Sequence, residues 1–465
     1  MNRSALPYAY AIGVVLVGGC SDGTNDAPPG PTTDATSTDA ADATDTAASD
    51  TGDANPADGG ETGADSARAD ASSDADGDAG SDGASDGPTD ADGGCGTGVG
   101  GVVKTVDASK ALTIFDASTN DLRIDLTTDG AIALIEDSAT GDLFFYDTVK
   151  GTLTKKAKID GDLSTVGATS LSGDGTRIGG SHGATDILGG VWGCGAWSDV
   201  KNTHAKGCAG PPNNESGVFN LSGNGTVAVG LAWDLCNASA VMWTQTKDTW
   251  TATALAHLGI ATGNNRATVV SDDGGVIGGF AQRSGADRSP AVWKSDGTGR
   301  LLEPTGDVVG EVLSISGDGK MVAGQWNSVT ATGDALNTAF YWTEADGVQM
   351  IGTLPSPQAQ DFVWPMAIAA KNKLILGSAG DPGWAFDVAG SEELAVAWTK
   401  AKGMRKLQDL VVAAKIAIPT GYDLTAISAA SADGTVVLGV ATDMNDPSLA
   451  QHTFVLRMPA SAYGL

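Results

Sequence analysis

The sequence predicts an all-β fold of seven four-stranded blades closed into a ring, on three observations. A turn of Ser/Thr-x-Asp/Asn-Gly type returns at Asp129, Asp174, Asn224, Asp273, Asp318 and Asp433, and a degenerate Ala-Lys-Asn372-Lys fills the one long gap. The spacings are 45, 50, 49, 45, 54 and 61 residues, each the size of one small sheet. Only 32 residues follow Asp433, so the final unit is short and needs a strand from elsewhere. A closed β-propeller satisfies all three; an eight-bladed ring and an open β-solenoid are the alternatives.

Within a unit, each element has a residue-level reason. Asp-Gly and Asn-Gly supply the positive φ that a tight hairpin requires. A β-rich run ending in Gly follows, as in Arg177-Ile-Gly, Val227-Ala-Val-Gly230, Met321-Val-Ala-Gly324 and Val436-Val-Leu-Gly439. Next comes an apolar run with an aromatic at its end: Phe144-Phe-Tyr146, Val191-Trp192, Val241-Met-Trp243, Ala291-Val-Trp293, Ala339-Phe-Tyr-Trp342, Ala395-Val-Ala-Trp398 and Thr453-Phe-Val-Leu456. A further strand recurs less strictly, as Gly347-Val-Gln-Met-Ile-Gly352 and Gly403-Met-Arg-Lys-Leu407. Almost no helix is expected. The segment from Val102-Val103 to Leu112-Thr-Ile-Phe115 precedes the first unit and reads as strand. It would complete the last blade, so that N- and C-terminal strands pair and leave no open edge.

The turns, together with Ala339-Phe-Tyr-Trp342 and Ile351-Gly-Thr-Leu-Pro355, resemble the HAF repeats of bacterial exported proteins. The likeness covers most of residues 120–460. It implies export and a repeat β fold, and no shared chemistry.

The rest of the chain divides into three parts: a signal peptide at 1–19, an acidic tether at 20–95 and the repeat domain at 96–465. Arg3 precedes an apolar stretch, Leu6 to Gly19, that is too short to span a bilayer and suits a signal-peptide core. It ends Val17-Gly18-Gly19-Cys20, which resembles a bacterial lipobox. That resemblance implies cleavage before Cys20 and lipidation of Cys20, and with it an outer-membrane or cell-surface location. Residues 21–100 hold 19 acidic residues, one basic residue (Arg68) and no aromatic, so they cannot bury enough apolar surface to fold. As a coil, the tether spans roughly 50 Å. Its run Asp74-Ala-Asp76-Gly-Asp78 lacks the glycine and final glutamate of a calcium loop.

The net charge of −30 argues against nucleic acid as a partner, because phosphate binding needs clustered Lys and Arg. Outside the cytoplasm, Cys95, Cys194, Cys208 and Cys236 suggest two disulfides. Cys194 and Cys208 flank one polar insertion and are paired on that ground, which leaves Cys95 with Cys236. A zinc site from Cys194, His204, Cys208 and Cys236 is the competing reading, with spacings unlike common zinc ribbons. No cofactor, metal or catalytic constellation is expected. The carboxylate pair Glu136-Asp137 is the one candidate for propeller glycosidase chemistry, and a solvated loop is the plainer reading. Large rings lie at similar distances after the turns: His182, Trp233, Phe280, Trp326 and Trp384. Exposed, they would grip a glycan or peptide; buried, they pack between blades. The expected function is a tethered, non-catalytic binding or scaffold module for protein or glycan. The alternative is an extracytoplasmic polysaccharide hydrolase or lyase.

Overall fold

The computed structural model describes residues 102–118, 124–137, 140–159, 168–182, 188–200, 216–234, 237–283, 288–303, 308–329, 335–354, 362–380 and 393–465. The signal peptide and tether, Cys20, Cys95, Cys208, Cys236, His204 and Trp384 lie outside them, as does the side chain of His182. Strands dominate. Among the described residues, helix is confined to Leu407–Ala413 and a 3-10 turn, Ala460–Tyr463, in keeping with the expected near-absence of helix.

The strands form seven antiparallel sheets, here blades 1 to 7 in chain order. Their inner strands are Asp125–Leu126, Ser170–Leu171, Ser216–Leu221, Asn265–Val270, Val309–Ile315, Phe362–Ala369 and Tyr422–Ala430. All seven line one axial cavity, and packing contacts pass from each blade to the next and back from blade 7 to blade 1. The expected aromatic-ended runs are the third strands.

Closure follows the expectation from the short last unit. Blade 7 has three strands of its own, and Leu112–Ser118 adds the fourth. Leu112 pairs with Leu456, Thr113 with Val455 and Ile114 with Phe454. The preceding segment behaves differently from expectation. Val102–Thr105 pairs with Thr152–Lys158 and makes a fifth strand on blade 1. The chain turns between these strands because Val106 N–H donates to Gly151 O at 2.7 Å, while Arg457 donates to the carbonyls of Ala108 and Lys110 at 3.0 and 3.2 Å.

The core is distributed between blades. Seven apolar clusters each join consecutive blades, the seventh joining blade 7 to blade 1 through Phe115, Tyr146, Val436 and Val455. The recurring aromatics explain themselves here. Trp192, Trp243, Trp293 and Trp398 each pack into the cleft with the preceding blade, and Tyr146 does the same for blade 1. A wedge-shaped gap between splayed sheets needs a large, flat filler.

The repeated turn is a hydrogen-bonded unit. The Ser or Thr hydroxyl donates to the Asp or Asn Oδ1 two residues on, at 2.6 to 3.1 Å, in all six full copies. That Oδ1 also accepts the backbone N–H two residues further, and the hydroxyl accepts an N–H five residues on. Gly130, Gly175, Gly225, Gly274, Gly319 and Gly434 have φ between 66° and 75°. The degenerate copy is shifted by one residue from its expected alignment. Ala370 N–H donates to Ala432 O, as Ala432 N–H does to Thr128 O, so Lys371 takes the carboxylate position and Asn372, at φ 66°, the glycine position. Asn tolerates that backbone region better than most residues.

The glycine closing each run has a separate cause. In blades 3 to 7 the inner strand carries a β-bulge, between Val218 and Asn220 in blade 3 and between Val312 and Ser314 in blade 5. Each bulge pushes a carbonyl toward the neighbouring strand. A Cβ at Gly230, Gly279, Gly324, Gly377 or Gly439 would lie 1.9 to 2.2 Å from it. Gly180 of blade 2 sits at the same repeat position beside a two-residue inner strand, and its nearest obstacle is 3.7 Å away. Blade 1 places Ile135 there.

Candidate functional site: the axial cavity

The inner strands leave a cavity of about 610 Å³ on the ring axis. Its wall is mixed, with apolar residues such as Ile124, Leu171 and Leu313 alternating with polar side chains from every blade's inner strand or turn. The turns close toward each other at one end. There Gly173, Gly223 and Gly317 lie so near the next turn that a Cβ would meet Thr128, Asp272 or its carboxylate at 3.0 Å or less. Backbone bonds link these turns from blade to blade, for example Thr128 N–H to Gly173 O at 2.9 Å and Asp272 N–H to Gly317 O at 3.0 Å.

The charged groups along the cavity are individually anchored. Asp125 accepts Leu126 N–H on Oδ1 and Leu171 N–H, from blade 2, on Oδ2, both at 2.7 Å. Burial pushes its carboxyl up to about 6 against those two bonds. Asn220 repeats the contact from blade 3, accepting Val270 N–H at 3.0 Å. At the turn end, desolvation and the carboxylates of Asp273 and Asp318 raise Asp272. Burial also pushes Asp318 up, but bonds from Ser316, Lys320 and Asn372 outweigh it and hold the group at about 2.

Near the opposite end, Arg266 lies against Glu311. Its Nη2 donates to Oε1 at 2.8 Å and Oε2 at 2.6 Å, and its Nε to Oε1 at 3.1 Å. Thr268 Oγ1 donates to the same Oε1. Both charged residues are 3–4% exposed. The guanidinium sits over Phe219 at 4.8 Å and Phe280 at 5.3 Å, while Arg288 covers Phe280 at 4.5 Å. Desolvation holds Arg288 below the ordinary guanidinium range.

The aromatic candidates do not form an exposed platform among the described residues. Phe280 is buried between two arginines, Trp326 is buried edge-on against Phe340 at 5.4 Å, and Trp233 is half-buried beside Phe219. The reason is register. Counted from the equivalent glycines, Phe280 is one residue on, Trp326 two and Trp233 three. Successive strand side chains face opposite sides, so similar sequence spacing does not put these rings on one surface. Glu136 is buried and Asp137 half-buried, and neither lines the cavity. Cys194, at φ 53°, opens the turn between Leu188–Gly193 and Ala196–Asp199.

Sequence reasoning passed over Asp125, Asp272, Arg266 and Glu311. A signal existed for the last two. Both stand seven residues before the turn carboxylate, at Asp273 and Asp318, so opposite charges occupy equivalent positions in consecutive blades.

No family model and no curated protein matches the chain. Solved structures similar to it include oligogalacturonate lyase from Vibrio parahaemolyticus, at 11% identity and TM-score 0.48, covering 78% of this chain and 99% of that one. The β-propeller domain of the Trilobed protease from Pyrococcus furiosus is similar at 6% identity and TM-score 0.43, over 75% and 96%. TolB from Acinetobacter baumannii is similar at 13% identity and TM-score 0.34, over 75% and 79%. None of these likenesses bears on activity. The chain is a seven-bladed β-propeller on its own strand pairing.

Proposed function

We propose that this propeller is an exported protein of HAF-repeat type, anchored to the outer membrane or cell surface by lipid on Cys20 and held off by the tether at 20–95. It serves as a non-catalytic binding or scaffold module for protein or glycan. One observation carries the non-catalytic reading. Three of the carboxylates near the axis are committed to their own structural partners: Asp125 to two backbone amides, Asp318 to its turn, and Glu311 to Arg266 and Thr268. General acid–base chemistry needs carboxylates that converge on a substrate instead. Pairing of Cys194 with Cys208, across one polar insertion, belongs to the same reading, and Cys95 then joins Cys236.

Growth of a bacterium expressing the full chain with a clickable fatty acid tests the anchor. Label should enter the wild type and vanish in Cys20→Ala; an unlabelled wild type refutes it. A glycan array and a surface pull-down with residues 96–465 test the binding role. Turnover of any polysaccharide would put the hydrolase or lyase reading first, and Asp125, at about 6 in a cavity, would then be the acid or base to mutate.

A further inference from the structure

We propose that Asn224 is a site of spontaneous covalent modification: its side-chain amide hydrolyses to a carboxylate, with the Gly225 backbone nitrogen as internal nucleophile and water as co-reactant. The inference is independent of the binding-module reading. Four observations support it.

First, Asn224-Gly225 is the one Asn-Gly pair of the sequence, and the Asn224 side chain is exposed. Second, the glycine is fixed by the fold. Gly225 has φ 66°, and a Cβ there would meet the Arg177 side chain of blade 2 at 2.6 Å. The nitrogen next to the amide therefore always belongs to a glycine, with no side chain to shield it. Third, the leaving group is idle. Every bond of the side chain goes to Oδ1: Ser222 Oγ donates at 3.1 Å, Thr226 N–H at 3.0 Å and Thr226 Oγ1 at 2.7 Å. Nδ2 has no partner among the described residues, so its departure removes no contact. Fourth, the product is already built elsewhere. The other five full turns carry Asp at this position. In blade 7, Ser431 Oγ, Thr435 N–H and Thr435 Oγ1 donate to Asp433 Oδ1 at 2.7, 2.9 and 2.8 Å. Burial pushes the Asp433 carboxyl up, but those bonds outweigh it and hold the group below the ordinary carboxylate range. A carboxylate at position 224 gains the same charge-assisted bonds.

The chemistry needs only water. Gly225 nitrogen gives its proton to solvent and attacks Asn224 Cγ. The new N–C bond closes a five-membered imide, the Cγ–Nδ2 bond breaks, and Nδ2 takes up a proton and leaves as ammonia. Water then adds to Cγ and the ring N–C bond breaks, which returns the N–H to Gly225 and leaves a carboxylate. Nothing is oxidised. The turn slows the first step, because Gly225 N–H donates to Ser222 O at 2.9 Å and that bond must open before attack. Its loss implies a slowing of roughly fivefold to tenfold against the unfolded chain. Ring opening at the other carbonyl gives isoaspartate, which inserts one carbon into the main chain and breaks the Ser222–Gly225 closure, so the folded turn favours aspartate.

Peptide mass mapping of the full chain, aged at mildly alkaline pH both folded and in urea, tests the proposal. In the folded protein Asn224 should convert before any other described asparagine, mainly to aspartate, at roughly a fifth to a tenth of its rate in urea. Asn224→Asp should melt no lower than wild type. No conversion in the folded chain by the time the urea sample has fully converted, another described asparagine converting first, isoaspartate as the main folded product, or an Asn224→Asp protein that melts lower would each overturn it.

Discussion

Alanine at Gly230 should destabilise the protein, whereas alanine at Gly180, the equivalent position one blade earlier, should not. The ideal Cβ at Gly230 falls 1.9 Å from Gly217 O and 3.2 Å from the ring of the fully buried Trp243. Relaxed carbon–oxygen contacts sit near 3.3–3.6 Å, so more than about 1 Å of overlap must be relieved. The obstacle is a backbone carbonyl held by the bulge at Val218/Asn220, which no rotamer change can clear. Ordinary overpacking costs about 1–3 kcal/mol, and a backbone obstacle belongs at the upper end, about 3 kcal/mol. At Gly180 the nearest atom to an ideal Cβ is 3.7 Å away, and the φ is not left-handed. There, alanine lowers only the freedom of the unfolded chain and should change stability by about +0.5 kcal/mol. Urea unfolding followed by tryptophan fluorescence reads both. A Gly230→Ala protein within about 0.5 kcal/mol of wild type, or equal losses at the two sites, would refute the bulge explanation.

Glu311→Gln leaves Arg266 buried without its counter-charge and should cost about 3–5 kcal/mol in the same assay, while Arg266→Met with Glu311→Met recovers most of it; a single-variant loss under about 1 kcal/mol would mean the pair is not desolvated. Removing residues 1–118 should uncover the Gln451–Arg457 strand and expose the sites of Leu112 and Phe115, each worth about 1.5–3 kcal/mol of burial. The truncated chain should melt several degrees lower and self-associate through the open edge, and a monomer with unchanged Tm by size exclusion and calorimetry would count against closure by this strand. Asp125 is raised from 3.8 to about 6 in the fold, so its protonated form stabilises the native state fully below about pH 4, and that contribution disappears as pH rises through 6. The loss is at most about 3 kcal/mol and smaller where cavity water screens the charge. Asp125→Asn should therefore gain on wild type between about pH 4.5 and 7.5 in urea titrations, and a constant difference across that range would contradict the shift.

The repeat made the architecture readable because each unit carries its own local chemistry. Ser172, Asp174 and Gly175 close a turn whose hydrogen bonds lie within six residues, so no distant contact is needed to specify it. The aromatic at Trp243 or Trp293 was readable as a strand end, and the shortness of the last unit pointed to Leu112–Phe115 as its missing strand. The glycine after each run was visible and its cause was not, since a bulge is a mismatch between two strands that neither sequence states alone. The shifted turn at Lys371-Asn372 escaped for the same reason: its alignment is fixed by a bond from Ala370 to Ala432, 62 residues away.

Sequence by itself pointed to the repeat, to seven blades over eight, to the hairpin of each full copy and to the strand that closes the ring, because those features follow from short-range backbone preference and from counting. Tertiary structure alone decided which side chains share a surface. Phe280 and Trp326 occupy similar repeat positions yet face opposite sides of their sheets, and Asp125 becomes a cavity group only because blade 2 brings Leu171 N–H to it. Strand alternation turns a one-residue offset into the opposite face, and the axial cavity exists only once seven separate sheets stand around a common centre.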